Sequence, residues 1–260
     1  MTAEGQIASP EIRTDRLDAV IFDLDGVITD TASVHQLAWK RMFDQWLAER
    51  TKATGEDRRP FSDDDYYLYV DGKPRYDGVV SFLASRGISL ARGDPSDSPT
   101  TETASGLGNR KDELFFALLG ERGVVSFPSS IELLQRLRAN GSRTAIISAS
   151  RNCVAVLDAA GIAQLFDAKV DGVDADALGL PGKPDPAVFL EAARRLEVEP
   201  GRAAVVEDAL AGVEAGRRGR FGLVIGVDRG GHGEELRERG ADVVVGDLGA
   251  VRVSTKGDAP

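Results

Sequence analysis

Four acidic side chains, a lysine and a serine carry most of the chemistry this sequence can do. Asp23 and Asp25 stand two apart in Phe22-Asp23-Leu24-Asp25-Gly26-Val27, and Glu207 and Asp208 form an adjacent pair. Ser148 opens Ser148-Ala149-Ser150-Arg151-Asn152, and Lys183 sits in Gly182-Lys183-Pro184-Asp185-Pro186, fixed between glycine and proline. Singly, each has a plain explanation. Asp-Gly pairs are common in turns, Ser150 would serve as a helix N-cap, and most lysines are solvated surface charges. Together they differ from that, because Asp23, Ser148 and Glu207 each follow directly on a short apolar run. If Asp23, Asp25, Glu207 and Asp208 converge, their mutual repulsion raises some of their pKa values. A hard divalent cation relieves that repulsion, and Mg²⁺ favours carboxylate oxygens together with phosphate and water. Lys183 and the Ser148 hydroxyl would then hold a phosphoryl group against the metal. The expected chemistry is phosphoryl transfer onto an aspartate.

Strand ends are the elements that must position these groups. The runs Ala19–Phe22, Thr144–Ile147, Ala203–Val206, Leu223–Ile225 and Asp242–Val245 are apolar on both faces, as parallel sheets require. Helical patterns lie between them: Ile131–Asn140 before Gly141, Val154–Ala160 before Gly161, and Ala187–Leu196 with an expected apolar face of Val188, Leu190, Ala192 and Leu196. Strand followed by helix, repeated, predicts a doubly wound, Rossmann-like parallel α/β sheet, whose ligands bind beyond the carboxyl ends of the strands. From about residue 32 to 124 the spacing turns helical, with Val34, Ala38 and Met42 on one line and Trp39, Phe43 and Trp46 on the next. We expect a core domain of residues 1–31 and 125–260 with an inserted small α-helical cap domain of residues 32–124. The stretches Thr51–Pro60 and Gly93–Gly108 are polar and rich in breakers, and Thr255–Pro260 reads as a frayed tail.

Composition narrows the function classes. The chain has 260 residues, a net charge of −10 and 42% hydrophobic residues, with one cysteine, Cys153. An acidic chain argues against a nucleic-acid or anionic-membrane partner, and one cysteine forbids an intramolecular disulfide or a thiolate zinc cluster. No run approaches the ~20 apolar residues of a membrane span. The first 17 residues have neither the basic start nor the apolar stretch of a signal peptide. The expectation is a soluble cytoplasmic protein, and a self-contained cap would suit a monomer. Gly230-Gly231-His232-Gly233 reads as a loop, Asp63-Asp64-Asp65 as a helix start or solvated face, and Cys153 as a small helix residue.

The motifs DLDGV, Ser148, GKPDP and VEDALAGVEAG resemble those of the haloacid dehalogenase superfamily of phosphotransferases, over about Asp18 to Val245. Within it, FDLDGVITDTASVHQLAWK and SASRN resemble the β-phosphoglucomutases. The resemblance implies Asp23 as the nucleophile that becomes an aspartyl phosphate and Asp25 as general acid/base. It implies one Mg²⁺ held by Asp23, the Asp25 main-chain carbonyl, Glu207 and Asp208, with Ser148 and Lys183 on the transferring phosphoryl group. It also implies a small sugar phosphate as substrate, glucose 1,6-bisphosphate as activating intermediate, and Thr31, His35, Arg75, Lys111, Ser150 and Asn152 as substrate-binding residues. Arg75 would grip the phosphate that is not transferred. Two departures stand out: the residue before Gly72, often basic in the family, is Asp71, and the cap carries extra sequence around 51–60 and 91–106. Mutase and phosphatase share the aspartyl phosphate, so the core motifs leave both open; a non-catalytic binding protein on this fold is a more distant reading.

Overall fold

The computed structural model describes residues 10–50 and 57–255; the expectations on residues 1–9, 51–56 and 256–260 lie outside them. Two short strands, β1 (Glu11–Arg13) and β8 (Arg252–Ser254), pair in parallel as a separate sheet. Between them run β2 (Ala19–Asp23), β3 (Arg143–Ile147), β4 (Ala168–Val170), β5 (Ala203–Glu207), β6 (Leu223–Val227) and β7 (Val243–Val245). These six form one parallel sheet in the order β4-β3-β2-β5-β6-β7.

Alternation within each strand feeds two cores, which is why the runs are apolar throughout. Val20, Phe22, Ile146, Ala204 and Val206 belong to one buried cluster, and Ala19, Ile21, Ala145, Ile147, Ala203 and Val205 to the other. Helices α5 (Pro128–Ala139) and α6 (Cys153–Ala160) cover the first face. Helices α8 (Ala187–Arg195), α9 (Leu210–Arg218) and α10 (Gly233–Glu238) cover the second, while α7 (Gly172–Leu178) follows β4.

The long connection from β2 to β3 is helical: α1 (Thr31–Glu49), the short α2 (Asp63–Asp65), a π-helical turn (Tyr66–Val70), α3 (Arg75–Ser85) and α4 (Ala104–Arg122). It has its own buried cluster, including Trp39, Met42, Phe43, Trp46, Phe61, Val79 and Phe82. No helix among the described residues is long and apolar enough to cross a membrane.

Register brings the strand ends level. Asp23 lies beside Ile147, and Phe22 beside Val206, so Asp23, Ser148 and Glu207 emerge at one edge. The chain leaves β2 toward β3 on one side and returns on the other at β5, which makes a switch point between β2 and β5.

Local expectations are corrected at several points. Leu190 is 37% exposed; the buried face of α8 is Val188, Phe189, Ala192 and Ala193, continued by Leu196, a spacing that carries residue 190 off the stripe. Strands β1, β4 and β8 are only three residues long and partly polar, too little to show a period. Gly106 and Gly108 lie inside α4 rather than in a loop. Asp63–Asp65 does start a helix, with Ser62 and Asp65 forming a capping box, but Asp65 is buried against Arg86 at 2.5 Å rather than solvated. Ser150 is not an N-cap: α6 starts at Cys153, and the Ser150 hydroxyl accepts from the Asn152 amide at 3.1 Å within the preceding turn.

Candidate active site

At the switch point one oxygen each of Asp23, Glu207 and Asp208 lies within 4.8 Å of the others. Lys183 donates to Asp23 Oδ1 at 2.5 Å and to Glu207 Oε1, and its ammonium also lies 5.4 Å from the centre of the Phe189 ring. The Asp25 amide donates to the second Asp23 oxygen at 3.0 Å, and the Ala209 amide to Glu207 Oε2 at 2.7 Å. Gly26 turns the chain here with φ +86°, a conformation that favours glycine, and a Cβ on it would lie 1.7 Å from Asp208 Oδ2.

Only three of the four expected carboxylates converge. The Asp25 side chain turns away: one oxygen accepts from the Thr31 hydroxyl and faces His35 Nε2 at 3.5 Å, and the other accepts from Ser148 Oγ at 3.0 Å.

Environment separates these groups electrostatically. Burial pushes Asp23 well above the usual carboxylate range, with Lys183 opposing and Glu207 and Asp25 reinforcing it. Burial, then the charges of Asp71 and Glu207, push Asp208 the same way. For Lys183 burial works against the charge, but Asp23 and Glu207 outweigh it and keep the ammonium cationic. Burial also works against ionised Asp25, yet His35 and the bonds from His35, Thr31 and Ser148 hold it well below its ordinary value. The converging set is hard oxygen, carries more negative charge than Lys183 neutralises, and fits Mg²⁺ in donor chemistry.

Above this floor a cleft opens between the strand ends and the helical layer, lined by Asp25, His35, Trp39, Asp71, Arg75, Lys111, Ser148, Ser150, Lys183 and others. His35 stacks on Phe115 with ring centres 4.0 Å apart, and its Nδ1 meets Lys111 Nζ at 2.5 Å. Burial, then Lys111, lowers the His35 pKa. Burial and the charge of Arg75 lower that of Lys111 to about 7. Arg75 Nη2 pairs with Asp112 at 2.6 Å, and Asn152 Nδ2 donates to the same carboxylate at 2.8 Å.

The predicted residues therefore fall into two groups. His35, Arg75, Lys111 and Ser150 line the cleft, whereas Thr31 and Asn152 stand behind it, Thr31 against Asp25 and Asn152 against Asp112. Cys153 is buried, and burial pushes its thiol up. Sequence reasoning missed Asp112 and Trp39 as site residues and noted Asp71 only as a departure. Asp112, next to Lys111, carries no signal beyond its charge.

A parallel sheet with a buried lysine and carboxylates at its switch point defines this protein as an α/β enzyme. The chain belongs to the haloacid dehalogenase-like hydrolase family, which matches residues 17–220. It is 47% identical over 249 residues to a Mycobacterium bovis protein named beta-phosphoglucomutase, covering 92% of this chain and 95% of that one. A Bacillus subtilis protein of the same name is 34% identical over 230 residues, covering 88% and 89%. Among solved structures, a beta-phosphoglucomutase from Clostridium difficile matches with a TM-score of 0.69 at 27% identity, covering 90% of this chain and 92% of that one.

Proposed function

We propose that this enzyme is a Mg²⁺-dependent β-phosphoglucomutase that interconverts β-glucose 1-phosphate and glucose 6-phosphate through an aspartyl phosphate and glucose 1,6-bisphosphate. The supporting observation is the second cationic pole of the cleft: Arg75 and the buried Lys111 face it from the helical layer, apart from Lys183 on the floor. A substrate with anionic groups at both ends matches two such poles; the names of the relatives point the same way. In this reading residues 32–124 form a cap over the core of residues 1–31 and 125–260.

Asp23 is the nucleophile, and Lys183 and Ser148 bind the phosphoryl oxygens as charge spreads over them. Mg²⁺, held by Asp23, Glu207, Asp208 and the Asp25 carbonyl, supplies electrostatic stabilisation of that charge. Asp25, held ionised, takes the proton from the sugar 6-hydroxyl as that oxygen attacks phosphorylated Asp23. Free Asp23 then attacks the 1-phosphate of the reoriented bisphosphate, and Asp25 returns the proton to the departing 1-oxygen. The proton balance closes, with Asp25 ionised at the start and at the end. Thr31, Ser148 and His35 orient it for both steps, while Ser150 and the Asn152–Asp112 pair shape the sugar side.

The second reading, a sugar-phosphate phosphatase, uses the same ionised Asp25 to activate water. The test is product analysis with β-glucose 1-phosphate, Mg²⁺ and a trace of glucose 1,6-bisphosphate, following glucose 6-phosphate and free phosphate together. A mutase gives glucose 6-phosphate without stoichiometric phosphate; phosphate alone makes the enzyme a phosphatase.

A further inference from the structure

Asp71 is an acidic residue on the helical layer whose place is unexplained by the roles above. It follows the π-helical turn, its amide donating to the Tyr66 carbonyl at 2.9 Å. The next residue, Gly72, brings this loop onto the core: a Cβ there would lie 2.9 Å from Ala209 Cβ and 3.8 Å from Lys183 Cδ. Ala209 adjoins Asp208, so the loop carrying Asp71 rests against the segment carrying Asp208. Asp71 also lines the cleft. Lys183, the cation on this floor, is already shared by Asp23 and Glu207.

Like charges brought together across a joint resist closing it unless a cation lies among them or one of them takes up a proton. A basic residue at this position would draw the two layers together unaided; a carboxylate leaves that to the metal. We propose that the divalent cation held by Asp23, Glu207 and Asp208 also attracts Asp71, making metal binding and closure of the helical layer over the core one coupled event. This rests on the Mg²⁺-dependent reading above. Asp71 is a positioning residue in this scheme, and the coupling is reciprocal: whatever favours the closed form tightens the metal, and the metal favours the closed form.

The test is Mg²⁺ titration by calorimetry, with small-angle scattering of the full-length protein with and without Mg²⁺. The wild type should contract on adding Mg²⁺. Asp71→Asn, which removes the charge but keeps the shape, should bind Mg²⁺ about 10-fold more weakly or worse, as losses next to a metal site do, and should already be compact without metal. Asp71→Ser, which does not restore the amide shape, should behave alike, so that a folding defect in one variant does not decide the matter. Equal Mg²⁺ affinity in wild type and both variants, or an undiminished contraction in the variants, overturns the coupling. A wild type that takes up no Mg²⁺ fails differently, since it removes the metal-dependent reading itself.

Discussion

Lys111 shows how strongly one residue's surroundings set what it can do. It is only 4% exposed, packed between the Trp39 and Phe115 rings with ammonium-to-centroid distances of 5.1 and 4.9 Å, and beside the Arg75 charge. Its pKa of about 7 makes it cationic below neutrality and increasingly neutral above. If it binds substrate phosphate, kcat/KM for the sugar phosphate should fall as pH rises from about 6 to 8, since that ratio reports the free enzyme. Lys111→Met should flatten this limb of the profile; a limb unchanged in the variant removes Lys111 from phosphate binding. Stability runs the other way. Between about 7 and the ordinary lysine value of 10.5, the unfolded chain binds more protons at this residue than the folded one. Its contribution to stability therefore rises with pH across that window and is least favourable below it.

At the scale of elements, strand β5 and helix α9 jointly fix Glu207 of the candidate metal site. A Cβ on Gly212, in the first turn of α9, would lie 1.8 Å from Glu207 Oε1. Gly212→Ala must push Glu207 aside, so Mg²⁺ affinity should drop by about 10-fold, and apparent melting temperature should shift by only a few degrees. Calorimetric titration reads the first and a thermal scan the second; an unaltered affinity would show that Glu207 has room to move. The elements themselves were largely legible in the sequence. Strands buried on both faces give unbroken apolar runs, and β2, β3, β5 and β6 follow them to within a residue or two. The three-residue strands β1, β4 and β8 were not legible, being partly polar and too short for any period, whereas the equally short β7 was, because Val243–Val245 is an unbroken apolar run. Lys183 and Glu207 could be placed because the order of the motifs along the chain fixes them. Asp71 and Asp112 could not, because Val70-Asp71-Gly72 reads as an ordinary turn and Asp112 as a helix-surface acid. What gives each its meaning is a partner far away in sequence: the segment at Asp208 for one, Arg75 and Asn152 for the other.

Across the whole molecule, the helical layer has an apolar cluster of its own, while Val34 and Ala38 of α1 and Phe115 and Leu118 of α4 join the first cluster of the sheet. Phe43 lies at the centre of the helical one, with Trp39, Phe61 and Phe82 ring centres at 5.3, 5.2 and 4.2 Å. Phe43→Ala should cost about 3–5 kcal/mol, borne by the helical layer. Calorimetry should then resolve a second, earlier transition, and hydrolysis of a small aryl phosphate should outlast turnover of the sugar phosphate. One transition with both activities lost together would mean that the two cores unfold as a unit. The layers meet where Tyr67 lies over His232 at 4.0 Å, and where Asp112 takes bonds from Arg75 on its own layer and Asn152 on the core. That shared carboxylate gives the cleft a character that affinity alone would not suggest. An arginine that already has an anionic partner takes up a phosphate by exchange and gives it back by exchange, so the ion pair broken on binding offsets part of the gain and the bound state is less deep. On the proposed mutase reading, where a bisphosphate must let go, turn end for end and be seized again, such a shallow well would keep the intermediate a passing guest instead of an inhibitor.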